Sequence, residues 1–448
     1  MASKADAKAI IDIGKTRCKV NVIEASGKLL FERSTATQSD GHLIDIDLIW
    51  QWLVETLQLV STRFNVVALF PVAHGATAAL GAAENLTWYV LDYEAEYLSV
   101  DDQYETHRGS FAETHSPNLE RGLNLARQLF WLRQSAPHKW AAIEQILLYP
   151  QYWAWCLCGV AASEVSSLGC HTDLWNPTLG QFSQLAKELS VDQKLPAMRK
   201  AWDVLGCITD EVAAATGLPL ACKVYCGSHD SNASYAAYLS RPEPAFSVVS
   251  TGTWVVCMGK GSDPTLDAKK DTLSNVDVTG RPVPCARFVG GREYGVICGS
   301  SDASAGVADA LTLINNGTFA EPSFTTLGGP FSAKGGVIPE ALTKEQRAAL
   351  ASLYCALMTD YCLDLIEARG PLFVEGRFCE DEIYMRALAG LRPGGVLRGN
   401  ANGSCSGARV LMRWPQATRI ESVVIDQSLF GISEYRDTWR AKLLVLAH

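Results

Sequence analysis

Two stretches far apart in this chain share one local plan. Ala9-Ile10-Ile11-Asp12-Ile13 is an apolar run that meets Gly14-Lys15-Thr16 and returns as the alternating Arg17-Cys18-Lys19-Val20-Asn21-Val22. Ala245-Phe246-Ser247-Val248-Val249 likewise meets Ser250-Thr251-Gly252-Thr253 and returns as Trp254-Val255-Val256-Cys257-Met258. Each reads as a strand, a glycine turn and an antiparallel strand. A strand–turn–strand opening written twice restricts the chain to two sheets of related plan.

Helical patterns follow each opening, which argues for mixed sheets covered by helices, an α/β class. Asp47 is placed to cap a helix through Phe64, with Leu48, Trp52 and Leu57 near helical spacing. Thr343 and Gln346 have capping-box spacing ahead of an amphipathic run to about Ala368, stopped by Gly370-Pro371. A short strand Leu372–Glu375, Gly376 and a helix near Asp381 to Leu391 come next. Gly290-Gly291-Arg292-Glu293-Tyr294 reads as a turn, with part of the cleft wall as the alternative. Arg241-Pro242-Glu243-Pro244 is the best linker, so the expected domains are 1–242 and 243–448.

Composition sets the class of partner. The chain has 448 residues, 48% of them hydrophobic and 19% charged, a globular balance rather than a disordered one. The formal charge of −9, without a Lys/Arg block, argues against nucleic acid or an anionic membrane as partner. No uninterrupted apolar stretch reaches bilayer length, so no spanning helix is expected. The 14 cysteines are scattered and lack zinc-finger spacing, which suits small buried thiols in a reducing compartment. With no export signal at the start, the expected location is cytoplasmic.

The turns carry the chemistry. Gly14 lets a backbone approach an anion, Lys15 adds a point charge, and Thr16 adds a hydroxyl. Asp12 is placed to hold Mg²⁺ through water, because that ion keeps much of its hydration shell. Ser250-Thr251-Gly252-Thr253 offers amides and hydroxyls with little bulk. A decorated hairpin explains either turn alone; two such turns, one per half, suit a polyphosphate gripped from both sides. Gly227-Ser228-His229-Asp230 lies at a strand-to-helix corner before a helical-looking Ser234–Leu239, where Asp230 can cap a helix or accept a proton from a hydroxyl.

These three elements, in this order, resemble the FGGY carbohydrate kinases of the actin-like, sugar-kinase and Hsp70 ATPase superfamily. Asp12-Ile13-Gly14-Lys15-Thr16 is similar to the family's first phosphate loop, and Gly227-Ser228-His229-Asp230 to its Gly-x-x-Asp segment. Ser250-Thr251-Gly252-Thr253-Trp254 is close to the Ser-Ser-Gly-Thr-Trp run of rhamnulokinase- and fuculokinase-like members. His74-Gly75, Leu91-Asp92-Tyr93-Glu94 and Leu148-Tyr149-Pro150-Gln151-Tyr152 stand where the family places sugar contacts. Gln151 occupies a position where Asp is usual. Val374-Glu375-Gly376 and Ser404-Cys405-Ser406-Gly407-Ala408 resemble the adenosine-binding portion.

The resemblance implies two actin-like, ribonuclease H-like domains of related plan with a nucleotide and sugar cleft between them. It implies ATP, Mg²⁺ and phosphorylation of a hydroxyl on a ketose or deoxy-ketose such as L-rhamnulose or L-fuculose. Asp230 would be the catalytic base and Asp12 the metal contact. Gly14, Lys15, Thr16, Thr251, Gly252, Thr253, Gly376 and Gly407 would hold ATP. His74, Gly75, Asp92, Glu94, Tyr152, His229 and Asp230 would contact the sugar. The expected partner is a small sugar, with no nucleic acid and no membrane, and a homodimer is left open. A nucleotide-dependent switch like actin or Hsp70, or an inactive sugar-binding relative, are the competing readings. His229-Asp230 and the polar set at His74, Glu94 and Tyr152 favour the kinase.

Overall fold

A computed structural model describes residues 4–81, 88–299, 304–331, 335–416, 418 and 420–445. The chain forms two compact units. The first runs through Ser240 and includes Ser274–Pro282 and Ser404–Thr418; the second comprises Arg241–Leu273, Val283–Gly403 and the chain from Arg419 onward. The second unit thus begins inside the expected linker, while two later segments belong to the first.

In the first unit, Asp6–Ile13, Arg17–Ile23 and Leu29–Ala36 form an antiparallel meander. Asn65–Ala73 then pairs parallel to Asp6–Ile13, and Lys223–Tyr225 and Ser228–His229 pair parallel to Asn65–Ala73. Successive side chains of a strand point to opposite faces. Ile11 and Ile13 pack with Leu53, Leu57 and Val60 of the helix Ile46–Arg63 and with Trp153 and Leu157 of the helix Tyr149–Cys158. Ile10 packs on the other face with Phe70, Val72, Ala233, Ala236, Ala408 and Leu411. Both faces are therefore covered, which is why these strands read as continuous apolar runs rather than strict alternation.

Asp45, not Asp47, caps the helix Ile46–Arg63, its carboxylate accepting from the Leu48 amide. Asp47 lies in the first turn, where its charge still suits the positive helix end. The two acids are two residues apart, and only backbone geometry selects the cap.

The second unit repeats the plan. Phe246–Thr251 pairs antiparallel with Val255–Lys260, which pairs antiparallel with Pro282–Phe288. Leu372–Gly376 adds parallel to Phe246–Thr251 and Val396–Arg398 parallel to Leu372–Gly376. The helix Lys344–Leu365 has the expected capping box: Thr343 Oγ1 accepts from the Gln346 amide and Gln346 Oε1 from the Thr343 amide. It ends at Leu365, earlier than Ala368. It is long and apolar enough to cross a bilayer by composition, yet Leu350, Leu353, Leu357, Met358 and Leu363 are buried in the unit's own core. Gly290-Gly291 opens a helix, Gly290–Cys298, instead of a turn. Side chains would collide there: a Cβ on Gly291 would sit 2.3 Å from the Gly252 carbonyl oxygen.

Candidate active site

Three parallel strands of the first unit end side by side. Asp12 and Ser228 both lie level with Val72, and Ile13 and His229 both lie level with Ala73. At the usual strand spacing, Asp12 and Ser228 are about 10 Å apart across the middle strand. Ligands of open α/β sheets collect at such carboxyl ends. Immediately beyond the three ends come Gly14-Lys15-Thr16, His74-Gly75 and Asp230.

The topology therefore brings Asp12 and Asp230 together. Burial lifts the Asp12 carboxyl to about 6, the Ser404 bond opposes that rise, and the charge of Asp230 adds to it. Ser404 Oγ donates to Asp12 Oδ2 at 2.7 Å. Burial likewise lifts Asp230 to about 6 against bonds from Ser231. Asp230 is the first residue of the helix Asp230–Ala236, which begins earlier than the expected Ser234, and His229 is its N-cap. The Ser231 amide donates to Asp230 Oδ1 at 2.5 Å, so one oxygen of Asp230 acts like a cap, and a third of its side chain still reaches solvent.

The expected sugar contacts gather around His74. Lys15 Nζ bonds both oxygens of Asp92 at 2.6 Å and lies 5.4 Å from the Tyr93 ring centroid. Burial raises the Asp92 carboxyl, but the bonds from Lys15 and the Glu94 amide outweigh it, and the net shift is downward. The Glu94 carbonyl accepts from Arg121. Burial depresses His74 to about 4, so its ring is neutral at neutral pH. That ring packs on Tyr149 at 4.9 Å and Tyr93 at 5.4 Å. A Cβ on Gly75 would lie 2.9 Å from His229 Nε2 and 3.1 Å from Cys170 Sγ, so only glycine lets these groups meet.

Tyr152 belongs elsewhere. It is buried against Trp88, Trp153 and Trp155 in the apolar core. One helical turn separates it from Tyr149, and Tyr149 takes the face towards His74.

The glycines of the second unit have local explanations. Gly376 has φ 83°, and an added Cβ would sit 1.9 Å from the Thr251 carbonyl oxygen. Thr251 Oγ1 donates to the Glu375 carbonyl at 2.6 Å and accepts from the Phe378 amide at 3.0 Å. The hydroxyl thus ties the turn to the neighbouring strand end. Gly252 faces open space on its Cβ side, with the Trp254 carbonyl oxygen 4.0 Å away, and the Gly291 amide donates to the Thr253 carbonyl. Gly407 lies in the first unit, where a Cβ would be 1.7 Å from the Ala233 carbonyl oxygen.

Six supporting residues were not among the expected site residues. Ser404 holds Asp12. Tyr149 packs on His74. Asn232 and Asn275 sit behind His229. Cys170 Sγ lies 3.6 Å from His229 Nε2. Gln151, fully buried, donates to the Cys226 and Gly227 carbonyls and supports the corner before Asp230. Ser404, Tyr149 and Gln151 stood within motifs that the sequence offered; Asn275 and Cys170 carried no sequence signal.

Comparison with known proteins gives the family and the fold. Residues 115–236 match the N-terminal domain of the FGGY family of carbohydrate kinases, and residues 243–420 match the carbohydrate kinase FGGY C-terminal domain. A carbohydrate kinase from Novosphingobium aromaticivorans is 34% identical, with a TM-score of 0.85 over 99% of both chains. An L-fuculokinase of Salmonella typhi is 23% identical over 277 residues, 57% of each chain. An L-xylulose/3-keto-L-gulonate kinase of Escherichia coli is 29% identical over 136 residues, 29% of this chain and 27% of that one. The matches span about half or less of the length of these curated relatives. The mixed α/β architecture is that of FGGY kinase structures, an actin-like ATPase fold. The chain belongs to the FGGY family of carbohydrate kinases.

Proposed function

We propose that the protein is an ATP-dependent sugar kinase that transfers the γ-phosphoryl group to a hydroxyl of a ketose or deoxy-ketose. The observation that carries this reading is the placement of Asp230 at converging strand ends with His229 and a neutral His74 ring, near the Lys15–Asp92 ion pair. Asp230 accepts the hydroxyl proton as the oxygen attacks phosphorus, and ADP leaves with the electrons of the broken bond. A base of this kind contributes roughly 10²–10⁴-fold. The L-fuculokinase and xylulose kinase relatives support a ketose. A nucleotide switch without sugar turnover has no use for a proton acceptor grouped with polar side chains at one sheet end.

The residues fit a divalent cation. Burial raises both the Asp12 and Asp230 carboxyls, the charge of Asp230 adds to the rise at Asp12, and a cation removes that cost. Among the described residues no group of three or more His, Cys, Asp or Glu could hold an ion. Asp12 would therefore hold Mg²⁺ largely through water, as that ion prefers. When bound, Mg-ATP supplies the phosphoryl group and neutralises its charge. In the first unit the Thr16 hydroxyl would meet phosphate, since the Gly14 amide already donates to the Arg17 carbonyl; in the second unit the Thr253 amide would do so, since the Gly252 amide donates to the Trp254 carbonyl.

A screen of ketoses, aldoses and polyols for sugar-dependent ADP release tests this reading. It predicts turnover with one ketose class and loss of that turnover in Asp230→Asn. ADP release independent of every sugar would favour the switch.

A further inference from the structure

Behind the base lies a buried amide whose orientation is fixed by its neighbours. Asn232 Nδ2 is 3.2 Å from the Ser166 carbonyl oxygen, 3.2 Å from Asn275 Oδ1 and 3.1 Å from His229 Nδ1. The Ser166 carbonyl can only accept. Asn275 Oδ1 is also identified as an acceptor, because the Val276 amide donates to it at 2.9 Å. The Asn232 group facing both must be its NH₂. An NH₂ has no lone pair to offer His229 Nδ1, so Nδ1 must be the acceptor and the neutral ring carries its proton on Nε2.

That proton has a destination. His229 Nε2 lies 3.1 Å from Asp230 Oδ1. The Ser231 amide and Ser231 Oγ also donate to Oδ1, at 2.5 and 3.2 Å. Among the described residues no donor reaches Oδ2. The two oxygens of Asp230 are thus unlike: Oδ1 accepts from both Ser231 donors with His229 Nε2 3.1 Å away, and Oδ2 has no donor among the described residues.

We propose that Asn232 is a positioning residue that holds His229 as the Nε2–H tautomer, so that the ring donates to Asp230 Oδ1 and leaves Oδ2 to take the substrate proton. The role rests on the kinase reading, but the tautomer does not. Ser166 extends the same support, since Ser166 Oγ accepts from the His229 amide at 3.4 Å and donates to the buried Glu164 Oε2 at 2.6 Å. The consequence for catalysis is directional: a carboxylate fixed through one oxygen presents the other in one orientation instead of several, which saves orientation entropy at the reacting atoms.

The test uses the full chain labelled with ¹⁵N-histidine. Long-range ¹H–¹⁵N correlation reports which ring nitrogen carries the proton, and the signal lost in His229→Gln identifies His229 among the eight histidines. The expected wild-type pattern is Nε2–H. Asn232→Leu is expected to abolish that preference and to lower sugar-dependent turnover about tenfold, the loss of roughly one hydrogen bond. His229→Gln, which keeps a donor, should retain more turnover than His229→Leu. An Nδ1–H pattern in the wild type overturns the proposal, even if Asn232→Leu does not fold. An unchanged tautomer in folded Asn232→Leu does so too. If no sugar supports ADP release while His229 is Nε2–H, the kinase reading fails and the tautomer assignment stands.

Discussion

Lys15 Nζ lies 2.6 Å from both carboxylate oxygens of Asp92, and the two side chains are only 12% and 6% exposed. The lysine of the first glycine turn is therefore engaged with an expected sugar contact. Lys15→Met leaves that carboxylate buried without its cation. We expect the KM for sugar to rise about tenfold or more and the KM for ATP to change less, because a buried charge stripped of its partner loses its orientation first. Steady-state kinetics with each substrate varied in turn checks this; an effect confined to ATP would return Lys15 to the phosphates alone.

Asp230→Asn keeps the shape of the corner and removes the proton acceptor. Sugar-dependent ADP release should fall roughly 10²–10⁴-fold while nucleotide binding, measured by calorimetry, is retained. The wild type should lose kcat/KM as pH falls through about 6, where Asp230 gains its proton. A pH–rate profile flat to pH 5 would remove Asp230 from the role.

Asp12 makes two predictions of opposite sign. Its folded-state carboxyl sits near 6, above its ordinary 3.8, so the folded protein binds this proton more tightly than the unfolded chain. Stability from that proton is present below about 4 and is lost as pH rises through 6. Metal-free Asp12→Asn should accordingly be more stable than wild type at pH 7.5, by about 1–3 kcal/mol, with the gap narrowing towards pH 5. The same variant should need more Mg²⁺ for half-maximal turnover. Thermal melts and a Mg²⁺ titration test the two parts separately.

Gly407→Ala drives a Cβ to 1.7 Å from the Ala233 carbonyl oxygen, on the helix that Asp230 begins. The backbone must shift, at a cost of roughly 1–3 kcal/mol or more, and turnover should fall with it. Gly295→Ala is the control. Nothing lies within 4 Å of its added Cβ inside the helix Gly290–Cys298. It should stabilise by about 0.5–1 kcal/mol, the ordinary helix preference for alanine. Equal melts for the two variants would dismiss the packing argument.

The sequence by itself determined the repeated hairpins, the capping box at Thr343 and the corner at Asp230, because each depends on residues within a few positions of one another. Strand periodicity and turn chemistry are local, so they survive being read in one dimension. Tertiary structure decided the rest. Asp45 rather than Asp47 caps its helix because a cap depends on backbone direction, and Gly290-Gly291 starts a helix because a distant carbonyl crowds it. Tyr149 faces His74 while Tyr152 turns into the core, a choice set by helix phase against the sheet. The Lys15–Asp92 pair, Ser404 on Asp12, and Asn275 behind Asn232 join residues remote in sequence, and no spacing rule can anticipate them. Their partners are chosen by which strand ends and helix starts the sheet order places together, a property of the folded chain alone.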